Sequence, residues 1–203
     1  MRWGWPATVV LLLAVLQDHV HAQAPKARWA KEPDSYRGVR WDALVSEPEA
    51  HERLREMYCL CDLPGKARGP CMDYQGDPTP ATRTCAGKLT VGSIELDETW
   101  FFTLDRFAGA YLTFDSDDYD KLRAIFVERY GPPTQSADTP VQTRMGAKAR
   151  NHILVWKGRR ASITLQRYGD KITEGRALIG THALMDRMQK ASEDERREGA
   201  KVF

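Results

Sequence analysis

From Leu89 onward the chain is organised by alternation. Leu89–Leu96, Glu98–Leu104 and Arg106–Phe114 read as three successive strands, rich in Val, Ile, Thr, Trp, Phe and Tyr. Short polar breaks at Asp97-Glu98 and Asp105-Arg106 divide them. Asp115-Ser116-Asp117-Asp118 then announces a change of period: Tyr119, Leu122, Ile125 and Phe126 recur at i, i+3, i+6 and i+7. That spacing predicts a helix over 117–130 with one apolar face, ended by Gly131-Pro132-Pro133. Further strands are predicted at Gln142–Met145, Ile153–Trp156, Ala161–Tyr168 and Arg176–Gly180, with Lys157-Gly158-Arg159 as a hairpin link. From Thr181 the pattern is helical, apolar first (Leu184, Met185, Met188) and mostly charged from Lys190 to Lys201.

The first half is less regular. Gln23–Pro33 is a polar, Pro-bounded stretch expected to be mobile. Trp29 within it has no evident core, so it either docks on the domain or stays in the mobile segment. Tyr36–Trp41 reads as a first strand and Pro48–Met57 as a helix, with Ser46 as its N-cap and Glu47 and Glu49 at the positive end of its dipole. Between Cys61 and Cys85 stand Pro64, Gly65, Gly69, Pro70, Gly76, Pro78 and Pro80, which break any helix and make a loop. The expected fold is α+β: a mostly antiparallel sheet with one or two helices packed on it, a disulfide-tied loop and a C-terminal helix. Segment 117–130 should cover one sheet face. The other is left to the N-terminal helix, to the tail, or to a partner. The expected organisation is a signal peptide at 1–24, a mobile lead-in at 25–34, one domain at 35–183 and a charged helical tail at 184–203.

The signal peptide rests on Arg2, the run Ala7–Leu16, and two overlapping cleavage signals, Ala22-Gln23-Ala24 and the weaker Val20-His21-Ala22. Ten residues of helix span about 15 Å, half of what a membrane crossing needs. The first cysteine is Cys59, so there is no lipid-attachment cysteine after the apolar run, and no later segment reaches 18 apolar residues. A periplasmic or secreted protein is expected.

Export changes how the four cysteines read. Cys59, Cys61, Cys71 and Cys85 imply two disulfides in an oxidising compartment. Cys59 and Cys61 lie two apart on a strand and point in parallel, which disfavours a bond between them. The favoured pairing is nested, Cys59–Cys85 with Cys61–Cys71. A four-cysteine zinc site is the alternative, but the spacing C-x-C-x9-C-x13-C lacks the paired knuckles of a zinc ribbon.

Composition removes whole classes. The 203 residues carry 30 Lys and Arg against 28 Asp and Glu, a net charge of +2 that gives no field for a nucleic-acid binder. The motif search returns near-misses. His51-Glu52-Arg53-Leu54-Arg55 has Arg where a zincin needs its second histidine. Gly87-Lys88-Leu89 ends like a P-loop but has Thr82 where the first glycine belongs and Leu89 where Mg²⁺ needs a hydroxyl. Asp115, Asp117 and Asp118 begin like a calcium loop, yet Phe126 stands where the bidentate Glu is required, so helix capping accounts for them better. Ser93 lies in no nucleophile elbow, and His152 at a strand end reads as structural. Trp41 and Trp100 read as core. No catalytic, cofactor or metal residue is assigned.

Arg37, Gly38 and Trp41 on the first strand, Gly87-Lys88-Leu89-Thr90-Val91-Gly92, the helix end Tyr130-Gly131-Pro132, then Trp156 and Arg167-Tyr168 form a recognisable series. Over about Tyr36 to Gly180 it resembles small exported domains of unassigned function in Gram-negative bacteria. That resemblance implies a periplasmic home and an α+β fold, and carries no catalytic residue across. The expected function is a non-enzymatic binding or interaction module of the cell envelope, partnered by an envelope protein or a small ligand. A small secreted hydrolase, or a protein inhibitor of one, is the alternative.

Overall fold

The computed structural model describes residues 29–61, 69–70, 82–142, 146 and 148–201. The expected signal peptide and Cys71 lie outside them. Two short strands, β1 (Ser35–Tyr36) and β2 (Val39–Arg40), form a miniature hairpin. Helix α1 (Pro48–Leu54) follows. Then come β3 (Tyr58–Cys61), β4 (Gly69–Pro70), β5 (Thr82–Val91), β6 (Ile94–Thr103) and β7 (Arg106–Asp115). A single 3-10 turn, Ser116–Asp118, leads into α2 (Tyr119–Tyr130). The chain continues through β8 (Gln135–Gln142), β9 (Lys148–Lys157), β10 (Ala161–Gln166), β11 (Glu174–Thr181) and α3 (His182–Ala200).

Nine strands form one sheet in the order β4-β3-β5-β6-β7-β11-β10-β9-β8, with every neighbouring pair antiparallel. Period-2 alternation assigns its two faces. Ile94, Leu96, Trp100 and Phe102 of β6 share the inner face with Ala110, Leu112 and Phe114 of β7 through the partners Leu96↔Phe114 and Trp100↔Ala110. Ala177 and Ile179, then Ile163 and Leu165, then Leu154 and Trp156 carry the same face across β11, β10 and β9. Ala110 opposite Trp100 and Ala177 opposite Leu165 make room for the large residues beside them, which lets the inner face close-pack. Tyr119, Leu122, Phe126 and Tyr130 are the buried residues of α2, and Phe126 meets Trp156 with ring centroids 6.0 Å apart.

The opposite face carries Thr99, Tyr111, Leu178, Thr164 and Val155 in one cross-strand row, all half-buried. Its corner is occupied by Leu184 at the start of α3. A Cβ at Gly109 would lie 2.6 Å from Leu184, and one at Gly180 2.9 Å, so two facing glycines make the notch that receives it. Thr181 caps α3 by accepting from the Leu184 amide. Among the described residues no helix is long and apolar enough to cross a membrane.

Several local expectations are corrected. Asp97-Glu98 is not a break: β6 runs through both, and the turn falls at Gly92-Ser93, where Gly92 takes φ +62°. Tyr36–Trp41 is not one strand, because Arg37 (φ 50°) and Gly38 (φ 87°) turn the chain back on itself. Helix α1 ends at Leu54, and its N-cap is Glu47, not Ser46. Residues 143–145 of the strand expected at Gln142–Met145 lie outside the described residues; ahead of them a polar edge strand that the pattern did not announce, β8, ends at Gln142.

Residues Trp29 to Pro33, expected within a mobile lead-in, lie as a strap on the domain. Trp29 is buried, and its indole Nε1 donates to the Tyr130 carbonyl at 2.7 Å. Lys31 Nζ donates to the Glu128 carbonyl at 3.0 Å. Both carbonyls belong to the last turn of α2, which has no further turn to satisfy them. The Glu32 carboxylate accepts three backbone amides of the β9–β10 turn, from Arg159 (2.9 Å), Arg160 (2.6 Å) and Ala161 (3.0 Å). Partial burial raises the Glu32 pKa, but these three amides and the Arg159 charge outweigh it and hold the group below the usual carboxylate value.

Two predictions follow from the packing. Phe126→Ala should destabilise the protein by about 3–5 kcal/mol, and Glu128→Ala, exposed on the same helix, by well under 1 kcal/mol. Equal urea midpoints would refute this assignment of the buried face. For Glu32 the depressed pKa adds stability that is full above the ordinary carboxylate value and is lost as pH falls through the folded one. Glu32→Gln should therefore lower the melting temperature at pH 7 and flatten its decline below about pH 4.5; parallel acid limbs in the two proteins would contradict it.

Candidate ligand site between the N-terminal hairpin and helix α2

The inner sheet face has two covers, the N-terminal segment and α2, and they meet over a seam. The N-terminal cover is fastened at Phe107. Asp42 N donates to Phe107 O at 2.9 Å, and Phe107 N to Ala43 O at 2.8 Å. The Phe107 ring stacks on Trp41 and Tyr36 and touches Trp100 at 4.8 Å. This attachment sets the β1–β2 hairpin over β6, where Glu98 points inward.

Glu98 is 1% exposed. A bare buried carboxylate costs several kcal/mol, so it needs partners. The hairpin supplies two. The Tyr36 hydroxyl donates to Glu98 Oε1 at 2.6 Å, and Arg37 Nη1 pairs with Oε2. Burial, then the adjacent carboxylate, pushes the Tyr36 phenol well above its usual pKa, so it remains a proton donor. The left-handed turn that Arg37 occupies is what aims its guanidinium inward, 6.0 Å from the Trp100 ring.

Beside this charge pair lies a cavity of about 130 Å³. Leu96, Leu112 and Ile179 line it from the sheet, Leu89 and Val91 from β5, and Leu122, Ile125 and Phe126 from α2. Its polar lining is Tyr36, Arg37, Arg129 and Tyr130. Arg37 is neutralised by Glu98. Arg129 lies over the Tyr130 ring at 5.6 Å and shares no ion pair with another described residue. Among the described residues the cavity is therefore an apolar chamber with one cation at its rim, the exposed Arg129, that makes no ion pair. Such a shape and charge suit a small molecule with an apolar body and one anionic group.

A second polar constellation sits at the other end of α2. His152 Nδ1 lies 2.7 Å from Asp138 Oδ1, across the register pair Asp138↔His152. Its Nε2 is buried without a partner and the Tyr119 ring stands beside it, centroids 6.0 Å apart. Tyr119, pushed up to about 12 chiefly by burial, carries an unpartnered hydroxyl under the Arg167 guanidinium. The pair has the first half of a catalytic triad. Among the described residues no contact brings a serine or cysteine to His152, and a phenol this weakly acidic supplies no oxyanion near neutral pH.

The other residues singled out in the sequence fall elsewhere. Cys59 and Cys85 are register partners on β3 and β5 and form a disulfide, with Cα atoms 4.0 Å apart. Cys61 is disulfide-bonded as well, and its expected partner Cys71 is outside the described residues. His51 is exposed on α1. Lys88 lies within β5, paired with Asp97 across the strands. Asp115 accepts the Asp117 amide at 2.9 Å and so caps the turn before α2. Tyr36, Arg37, Glu98 and Arg129 were not singled out as site residues in the sequence. Their available signal was a glutamate on the apolar phase of β6, which only a correct strand boundary exposes.

Comparison of the chain with protein-family models, with curated proteins and with solved structures finds no match in any of the three.

Arg37→Ala should cost about 3 kcal/mol in urea unfolding, because it strands a buried carboxylate. The double variant Arg37→Ala/Glu98→Leu should recover most of that loss. A double variant as unstable as the single one would show that Glu98 is satisfied by other means.

Proposed function

We propose that this chain is an exported, non-enzymatic α+β binding module of the cell envelope, and that its ligand is a small amphipathic anion held between the N-terminal hairpin and α2. The observation carrying this reading is the apolar cavity whose rim holds one unneutralised arginine, Arg129. The size sets the class: about 130 Å³ is below the roughly 300–1,000 Å³ of sites for drug-sized ligands, so a single ring or a short acyl chain fits. Export is supported by Arg2, the apolar run at 7–16 and the Ala22 and Ala24 cleavage signals, and the Cys59–Cys85 disulfide agrees with an oxidising compartment. The Phe126–Trp156 contact and the seat of Leu184 support helices packed on both sheet faces, and the nested partner Cys61–Cys71 completes the proposed covalent frame. The pattern over Tyr36–Gly180 supports kinship with small exported Gram-negative domains. A small secreted hydrolase is the second reading, and the Asp138–His152 pair is the observation on its side.

Calorimetric titration tests the proposal with octanoate and octylamine. Octanoate should bind and octylamine at least tenfold more weakly. Arg129→Gln should reduce octanoate affinity by about tenfold, roughly 1.4 kcal/mol. Ile125→Trp, which fills the chamber, should abolish binding. If octanoate fails to bind, or binds the filled variant equally, the cavity is a packing defect and the proposal fails.

A further inference from the structure

The strap at Trp29–Glu32 is held in the manner of a bound peptide rather than of a sheet strand. None of its four residues belongs to a strand. Three side-chain groups fix it: the Trp29 indole on the Tyr130 carbonyl, the Lys31 ammonium on the Glu128 carbonyl, and the Glu32 carboxylate on the amides of Arg159, Arg160 and Ala161. On the receiving side every one of these partners is a main-chain group. The α2 end presents carbonyls and the β9–β10 turn presents a nest of N–H groups, so the seat is fixed by backbone geometry. Gly158 is part of it: a Cβ there would stand 2.2 Å from the Glu32 carboxyl carbon, so a side chain at 158 would make the acid shift. The burial of Trp29 against Tyr130, centroids 6.2 Å apart at 69°, adds an aromatic slot one end of which is polar.

We propose that this seat is a peptide-recognition site, occupied here by the chain's own strap, and that its partner is a segment with an aromatic residue followed three positions later by a carboxylate. The charges agree, since Arg159 and Arg160 flank the nest and favour an acidic occupant. Tethering gives the strap an effective concentration in the millimolar range, so a competing peptide meets a filled seat unless the strap is weakened. This inference does not rest on the cavity ligand proposed above.

The test uses the full chain with the strap disabled, Trp29→Ala/Glu32→Ala, and a fluorescent peptide of residues 27–35. In polarisation the disabled chain, once near-ultraviolet circular dichroism shows it folded, should bind the peptide. The unaltered chain should bind at least tenfold more weakly. Peptides carrying the Trp29→Ala or Glu32→Gln change should also lose at least tenfold. A folded, disabled chain that binds no better than the unaltered one overturns the proposal. Gly158→Ala gives a second reading independent of that variant's folding. It should eject the strap and speed tryptic cleavage after Lys31 at least tenfold. If cleavage is unchanged, the seat does not depend on the acid, and the proposal also falls.

Discussion

The attachment at Phe107 is the contact on which the rest of the arrangement depends. Its ring gathers Tyr36, Trp41, Trp100 and Phe102 into one aromatic cluster, and its amide and carbonyl hold the chain at Ala43 and Asp42. The β1–β2 hairpin has only two residues per strand, too few to persist alone. Docked there, it covers the β5–β7 side of the inner face while α2 covers the β9–β11 side. The seam between the covers is the cavity. Neither cover forms it alone.

Two charges act in opposite senses around that seam. Glu98 is committed: Tyr36 and Arg37 consume both of its oxygens, and the resulting group is neutral as a whole. Arg129 makes no ion pair with a described residue and leans on the Tyr130 ring, with a hydrogen bond to that side chain. A buried ion pair contributes little net stability compared with apolar packing, but it is sharply selective for one geometry. Here that geometry is the relative position of the hairpin and β6, and so the shape of the chamber.

How much of this could be read from the residues depends on how strongly each carries period. Helix α2 was legible because Tyr119, Leu122 and Phe126 repeat on one stripe and Gly131 ends it. The β9–β10 hairpin was legible from Lys157-Gly158-Arg159; for the cysteines, export implied disulfides and strand geometry removed Cys59–Cys61, while Cys59–Cys85 followed from a preference for the nested pairing. Glu98 was misread because a charged residue beside Asp97 resembles a turn, and its partners lie about 60 positions earlier. Strand β8 was not announced before Gln142 because an edge strand faces water on nearly every position and shows no alternation. The strap had no local signal at all: Trp29 and Glu32 make sense only against carbonyls and amides that other parts of the chain bring to one place.

The burial of Glu98 also bears on the order in which the molecule can be assembled. Its partners Tyr36 and Arg37 leave a ribosome long before β6 does, yet they have nothing to dock on until β5, β6 and β7 are paired. During that interval the inner face of β6 holds a solvated carboxylate between Leu96 and Trp100, and water must stay with it. Expulsion of that water waits for a contact closed over 61 to 62 residues, a long loop by the standards of fast-folding domains. The layer around the chamber therefore cannot dry before the hairpin has arrived.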